Sequence, residues 1–235
     1  MTLSDDTVVL VTGASRGIGR TLVETCLLRP KHTVIASVRN TGVDYVQELE
    51  ALPKGNGSRL QLIKIESSNS QDPAMAIKDV EGIDHIDVVG ANAGGAGDKG
   101  MIPLDVVSPE IVTDVFTAVK TLLEKSEAPK WVSVTSAAGS IGRLELHKAQ
   151  IAPAYGIAKA GLNWVTTAIH SANKGFIAFA VHPGLVQTES GNKSARAMGL
   201  PQAPNSRRQS VDAILDLGSL TWSASSQFVC ITCNL

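Results

Sequence analysis

The stretch TVVLVTGASRGIGRTLVETCLLR, residues 7–29, decides the fold. Its first part, TVVLVT (7–12), is apolar and β-branched almost throughout, as a strand covered on both faces must be. Glycines follow at Gly13, Gly17 and Gly19, and from residue 17 onward the pattern is helical. A helix that starts at such a turn points unpaired N–H groups and a positive dipole end at whatever sits above the strand, which suits a pyrophosphate. The glycines permit a tight turn, close approach of backbone to phosphate, and close helix–strand packing. A glycine-rich turn with no ligand is the alternative. The strand before it and the helix after it favour the phosphate reading.

The same alternation runs outward through the chain. Strands are predicted at 33–38, 60–65, 85–91, 130–135, 176–182 and 227–232. Helices are predicted at 43–52, 73–82, 108–125, 153–172 and 210–220. Strands alternating with helices imply βαβ units, right-handed crossovers and an α/β doubly wound parallel sheet with helices on both faces. The 235 residues fit a single domain over 1–235. One long stretch, about 184–209, is rich in Gly, Ser, Asn, Pro and Gln and reads as an irregular substrate lid.

Composition narrows the function. Hydrophobic residues make up 43% and the net charge is −1, so neither nucleic acid nor a membrane surface is expected as partner. The N-terminus lacks a basic segment followed by an apolar one, and no apolar run approaches the roughly 20 residues of a membrane span. A cytoplasmic protein is expected. Three cysteines are too few for a disulfide framework, and Cys230-x-x-Cys233 reads as part of a terminal strand rather than as a redox or zinc motif.

Cofactor choice turns on the second strand. A dinucleotide with a free ribose 2′-hydroxyl calls for a carboxylate near that strand's end. The chain offers Arg39 there, and Arg16 in the glycine loop. Two guanidiniums suit a 2′-phosphate, so NADP(H) is expected, against the alternative of two solvated surface arginines.

The chemistry is expected further on, in APAYGIAKAGLN (152–163). Tyr155 and Lys159 share one helix face at i and i+4, among small residues that let ligands approach. An ammonium beside a phenol would lower a pKa that is ordinarily about 10, making Tyr155 a usable proton donor. Ser136 ends the fifth strand at the carboxyl edge of the sheet, where its hydroxyl can donate to a carbonyl oxygen gaining charge. Taken singly, Tyr155 is an ordinary helix tyrosine, Lys159 a snorkelling lysine and Ser136 a turn cap. Together, downstream of a dinucleotide loop, they read as catalytic.

TGASRGIG (12–19), NAG (92–94), Ser136 in VTSAAG, YGIAK (155–159) and PGLVQT (183–188) occur in the order found in the short-chain dehydrogenase/reductase family, and the chain resembles that family over nearly its whole length. Within it the sequence is similar to the fungal norsolorinic-acid-type ketoreductases and nearby carbonyl reductases. The resemblance implies a Rossmann-type fold and NADPH-dependent reduction of a small hydrophobic ketone or aldehyde, in polyketide-type secondary metabolism. It implies cofactor contacts at Gly13, Ser15, Arg16, Gly17, Ile18, Gly19, Arg39, Glu66, Asn92, Ala93 and Gly94. It adds Pro183, Gly184, the Val186 backbone and the Thr188 hydroxyl near the carboxamide, and has Tyr155 and Lys159 contact the cofactor, Lys159 through its ribose. His147 and His182 are expected to be structural, since the Tyr–Lys pair already supplies the acid.

Departures from the family pattern shape the remaining expectations. Relatives carry an asparagine on the helix before the catalytic serine, but no asparagine lies between Asn92 and Asn163 here. Thr113, Asp114 or Thr117 is the candidate to stand in for it. The same helix pairs relatives into homodimers or homotetramers, and its shortness weighs against that assembly here. The segment SIGRLELHKAQI (140–151) lengthens the Ser136–Tyr155 spacing and reads as a substrate-side flap. The alternative to a reductase is an NADP(H)-binding sensor or scaffold with weakened catalysis.

Overall fold

Strand β1 (Thr7–Val11) runs into the glycine loop and helix α1 (Gly17–Leu27), as the opening stretch predicts. The computed structural model describes residues 6–41, 44–66, 69–94, 109–217 and 228–230. The chain divides into two compact units, one of residues 1–93 with 110–131, the other of 94–109 with 132–235.

In the first unit the chain continues through β2 (His32–Val38), α2 (Asp44–Glu50), β3 (Arg59–Lys64), α3 (Asp72–Lys78), β4 (Val88–Ala91) and α4 (Pro109–Leu123). Strand β1 pairs in parallel with β2 and with β4, and β2 pairs in parallel with β3, giving the order β3-β2-β1-β4. The winding therefore reverses beside β1, at the switch point where such sheets bind ligands. Every residue of β2 after His32 is buried, which explains its unbroken apolar run. Strand β4 starts three residues later than the apolar pattern predicts. His85 is buried there, with its ring nitrogens 2.6 Å from Asp84 Oδ1 and 3.1 Å from Asp87 Oδ2. Asp87 in turn accepts from Val8 N at 2.8 Å and Ser126 Oγ at 2.6 Å. These side chains take up the polar groups that a longer strand would have placed in the ladder.

Strand β5 (Lys130–Val134) begins in the first unit, where buried Trp131 meets Phe116 edge-on with ring centroids 5.4 Å apart. The second unit holds the rest of β5, then α5 (Pro153–Ala172), β6 (Ile177–His182), α6 (Glu189–Ala197), α7 (Arg207–Asp216) and β7 (Phe228–Cys230). Its strand order is β5-β6-β7, and β6 pairs in parallel with β7. Leu162, Val165 and Ile169 of α5 are buried with Ala178–Val181 of β6. Thr166 Oγ1 donates to Ser133 Oγ at 2.7 Å, satisfying the hydroxyl that β5 buries.

The stretch 184–209 is not irregular throughout, which corrects the expectation in part: it carries α6 and the start of α7. Asn205 N donates to Leu185 O at 3.1 Å, and Gln187 N to Asn205 O at 2.8 Å, closing the loop on itself. Between these bonds Thr188 caps α6, its Oγ1 accepting from Gly191 N at 3.0 Å. The sequence ESGNKSARA buries only Ala195, so it lacks the apolar stripe by which a helix is read. Cys230 lies in β7, as the strand reading expects, and Cys233 lies outside the described residues. Among the described residues no helix is long and apolar enough to cross a membrane.

Candidate active site

Gly13 has φ +67 and Gly17 φ +60, in the left-handed region that a side chain disfavours. A Cβ on Gly13 would stand 2.8 Å from Ala93 Cα, and one on Gly19 would strike the Gly13 carbonyl oxygen and Asn92 Nδ2. The loop is braced from β4. Asn92 Nδ2 donates to Thr12 O at 3.0 Å and Gly13 O at 3.2 Å, while Thr12 Oγ1 accepts from Asn92 N at 3.0 Å and Ala93 N at 2.9 Å. Asn92 and Ala93 thus hold the shape of the glycine loop. Thr12, whose hydroxyl makes this brace, was not singled out in the sequence; its place just before Gly13 is the signal for it.

Arg16 is the exposed residue before α1, and Ser15 and Ile18 are half-buried around the same turn. The first turn of α1 contains no acidic residue, so its N-terminal charge is not neutralised from within the helix. Arg39 is exposed immediately after β2. Glu66 follows β3 half-buried, with its backbone N–H donating to Asp72 Oδ2 at 2.9 Å. Gly94, at φ 155, is exposed after β4. The loop is glycine-formed, with Arg16 at the cap of a helix end open to negative charge, and it fits a dinucleotide phosphate.

In the second unit Ser136, Tyr155 and Lys159 come together. Ser136 leaves β5 and does cap a turn: its Oγ accepts from Ala138 N at 3.2 Å at the head of the 3-10 turn Ala137–Gly139. It also hydrogen-bonds the Tyr155 side chain, so one hydroxyl serves both turn and phenol. Lys159 is 6% exposed and its Nζ donates to Val134 O at 3.2 Å. The same Nζ lies 5.8 Å from the Tyr155 ring centroid, within cation–π range. Gly139 makes this packing possible, since a Cβ there would stand 2.6 Å from the Lys159 carbonyl carbon. Asn163 Nδ2 ties the turn to α5 through Gly139 O at 3.1 Å. Gly139 and Asn163 were missed in the sequence because close backbone approach leaves no periodic trace.

Burial decides the titration of the pair. It pulls Lys159 down to about 8 from 10.5. It pushes the Tyr155 phenol above its ordinary 10.0, with the Ser136 hydrogen bond acting in the opposite direction. The expectation that Lys159 lowers the phenol's pKa is therefore corrected. The ammonium is turned toward the Val134 carbonyl and the ring, and Ser136 supplies the stabilising contact to the hydroxyl.

Pro183 is buried and Gly184 has φ 82. Val186 is 3% exposed, and its carbonyl accepts from Thr188 N at 2.6 Å and Thr188 Oγ1 at 3.4 Å. The Thr188 hydroxyl is thus used in capping α6 and keeps one acceptor lone pair for a ligand. On α4, Thr113 and Thr117 are exposed and Asp114 is half-buried. The segment 140–151 forms the 3-10 turns Ile141–Arg143 and Ala149–Ile151.

The family model for short chain dehydrogenases matches residues 7–199. A short-chain dehydrogenase of Pyricularia oryzae is 40% identical over 91% of this chain and 90% of its own. The norsolorinic acid ketoreductase of Dothistroma septosporum is 39% identical over 90% of this chain and 84% of its own. The NADPH-bound carbonyl reductase from chicken fatty liver shares the fold at a TM-score of 0.78 and 24% identity, over 96% of both chains. With those matches over this glycine loop and this Ser–Tyr–Lys cluster, the chain belongs to the short-chain dehydrogenase family of oxidoreductases.

Proposed function

We propose that the protein is an NADPH-dependent reductase of a small, hydrophobic ketone or aldehyde. The observation that carries this reading is the buried Lys159 ammonium lying against the Tyr155 ring while Ser136 hydrogen-bonds the phenol. In that arrangement Ser136 and the Tyr155 hydroxyl donate to a carbonyl oxygen, and Tyr155 releases its proton as that oxygen becomes an alcohol. A phenol whose pKa is raised holds its proton until negative charge has developed on the substrate. The Ser136 hydrogen bond, which acts to lower the phenol's pKa, eases that release. The nicotinamide, when bound, supplies the hydride. Gly13, Gly17 and Gly19 would hold its pyrophosphate, and Arg16 and Arg39 support a 2′-phosphate and so NADP(H) over NAD(H).

Two fungal relatives named as norsolorinic acid ketoreductases support a ketone substrate, and we read the protein as cytoplasmic and as acting in polyketide-type metabolism. Ile157 and Trp164, each 72% exposed and two turns apart on α5, support pairing of that helix with a second copy. A single-chain mass by light scattering would remove that part of the reading.

The test is NADPH oxidation across a panel of ketones and aldehydes with wild-type protein and Tyr155→Phe. Turnover should fall by at least about 100-fold in the variant, with NADPH affinity retained. Equal turnover in both proteins rules out Tyr155 as donor. The sensor reading is favoured by α4, where Thr113 and Thr117 are exposed and no asparagine is present. NADPH binding with no turnover on any carbonyl would decide for it.

A further inference from the structure

Two histidines of the second unit have no part in the chemistry of the Ser–Tyr–Lys cluster. Thr135 N donates to Val181 O at 2.8 Å, so Ser136 and His182 are the next residues on neighbouring strands and leave the same sheet edge. His147 comes from the segment that joins Ser136 to Tyr155, anchored through its N–H to Arg143 O at 3.0 Å. Burial first, and the charge of His147 second, hold His182 down at about 4, neutral at physiological pH.

His147 Nε2 and His182 Nδ1 are both buried, and among the described residues neither has a hydrogen-bond partner. Burying a polar atom unpaired forfeits its hydration, so such atoms in a folded chain require an explanation. The segment around His147 also leaves Ile141, Leu144, Leu146 and Ile151 exposed, an apolar surface suited to a carbon frame.

We propose that His147 and His182 form a subsite for a hydroxyl group, an alcohol or phenol carried on the same frame as the carbonyl that Ser136 and Tyr155 address. A neutral imidazole offers one donor and one acceptor, and a hydroxyl answers both. A ketone without that hydroxyl leaves the ring nitrogens unpaired in the complex and is discriminated against for that reason. The proposal rests on the carbonyl-reductase reading and deepens it.

The test is calorimetric titration of acetophenone and its 2′-, 3′- and 4′-hydroxy derivatives into protein saturated with NADP+. At least one hydroxylated isomer should bind about tenfold tighter than acetophenone. His182→Phe and His147→Leu should each bring that ratio within about threefold of unity and leave the acetophenone and NADP+ affinities unchanged. His182→Gln, which keeps a donor and an acceptor, should restore part of the preference. Four equal affinities in the wild type, no binding of any ketone, a preference that survives both variants, or a uniform weakening of all four ketones would each overturn the subsite. The wild-type titration decides even where a variant fails to fold. NADPH turnover of the same ketones is measured separately, and its absence counts against the reductase reading without touching the binding ratio.

Discussion

Replacing Lys159 with methionine tests the burial argument on which the site rests. Methionine keeps a long unbranched stem and removes the charge. In the folded chain the ammonium is pulled from 10.5 down to about 8 by burial alone. That drop of roughly 2.5 pH units, at about 1.4 kcal/mol each, means that the buried charge lowers stability by about 3 kcal/mol. The sign follows from proton counting. Below pH 8 both states carry the proton and the full penalty applies. Between about 8 and 10.5 the unfolded chain keeps its proton while the folded chain sheds it, so stability rises with pH. Lys159→Met has no such dependence. Urea unfolding of both proteins from pH 7 to 10 should therefore show wild type gaining on the variant, the change approaching about 3 kcal/mol by the alkaline end. Tyr155 acts with the opposite sign. Its raised phenol loses stability as pH climbs past its ordinary 10.0, but both proteins carry it and it drops out of the difference. A difference flat to within about 0.5 kcal/mol would mean that Lys159 is not buried as charge, and the account of the pair would fall with it.

Other substitutions probe the two ends separately. Gly19→Ala should lose NADPH-induced thermal stabilisation and about 2–3 kcal/mol of intrinsic stability, since its Cβ meets Gly13 O and Asn92 Nδ2; retained NADPH binding would show that the loop tolerates displacement. Gly139→Ala pushes the 3-10 turn away from Lys159, so kcat/KM should fall about 100-fold while the dissociation constant for NADPH holds, which steady-state kinetics and titration measure side by side. Arg39→Asp should shift the ratio of kcat/KM for NADPH over NADH by at least about tenfold toward NADH, and an unchanged ratio would make Arg39 a bystander.

The sheet was readable in the chain because β1 and β2 are covered on both faces, which writes continuous apolar runs into the sequence. The glycine loop was readable for a related reason: positive φ at Gly13 and Gly17 and a backbone contact at Gly19 exclude other residues, so the positions announce themselves. Tyr155 and Lys159 were legible as a pair because helix geometry alone puts i and i+4 together. Helix α6 was not legible, for its stability comes from the Thr188 cap and the Leu185–Asn205 closure rather than from an apolar stripe. The start of β4 was missed because Asp87 turns its carboxylate to Val8 N and Ser126 Oγ, groups distant in the chain that meet it only after folding.

What the linear order of residues determined is the succession of strands and helices, the phosphate-turn glycines, and the spacing that brings phenol and ammonium onto one face. Each of these follows from local backbone geometry or from periodic burial. What only the tertiary structure decided is the electrostatics: that the Lys159 ammonium faces Val134 O and the ring, that Ser136 rather than Lys159 eases the phenol, and that burial holds His182 neutral. A pKa depends on desolvation and on the direction of nearby dipoles, and both come from residues distant in the chain.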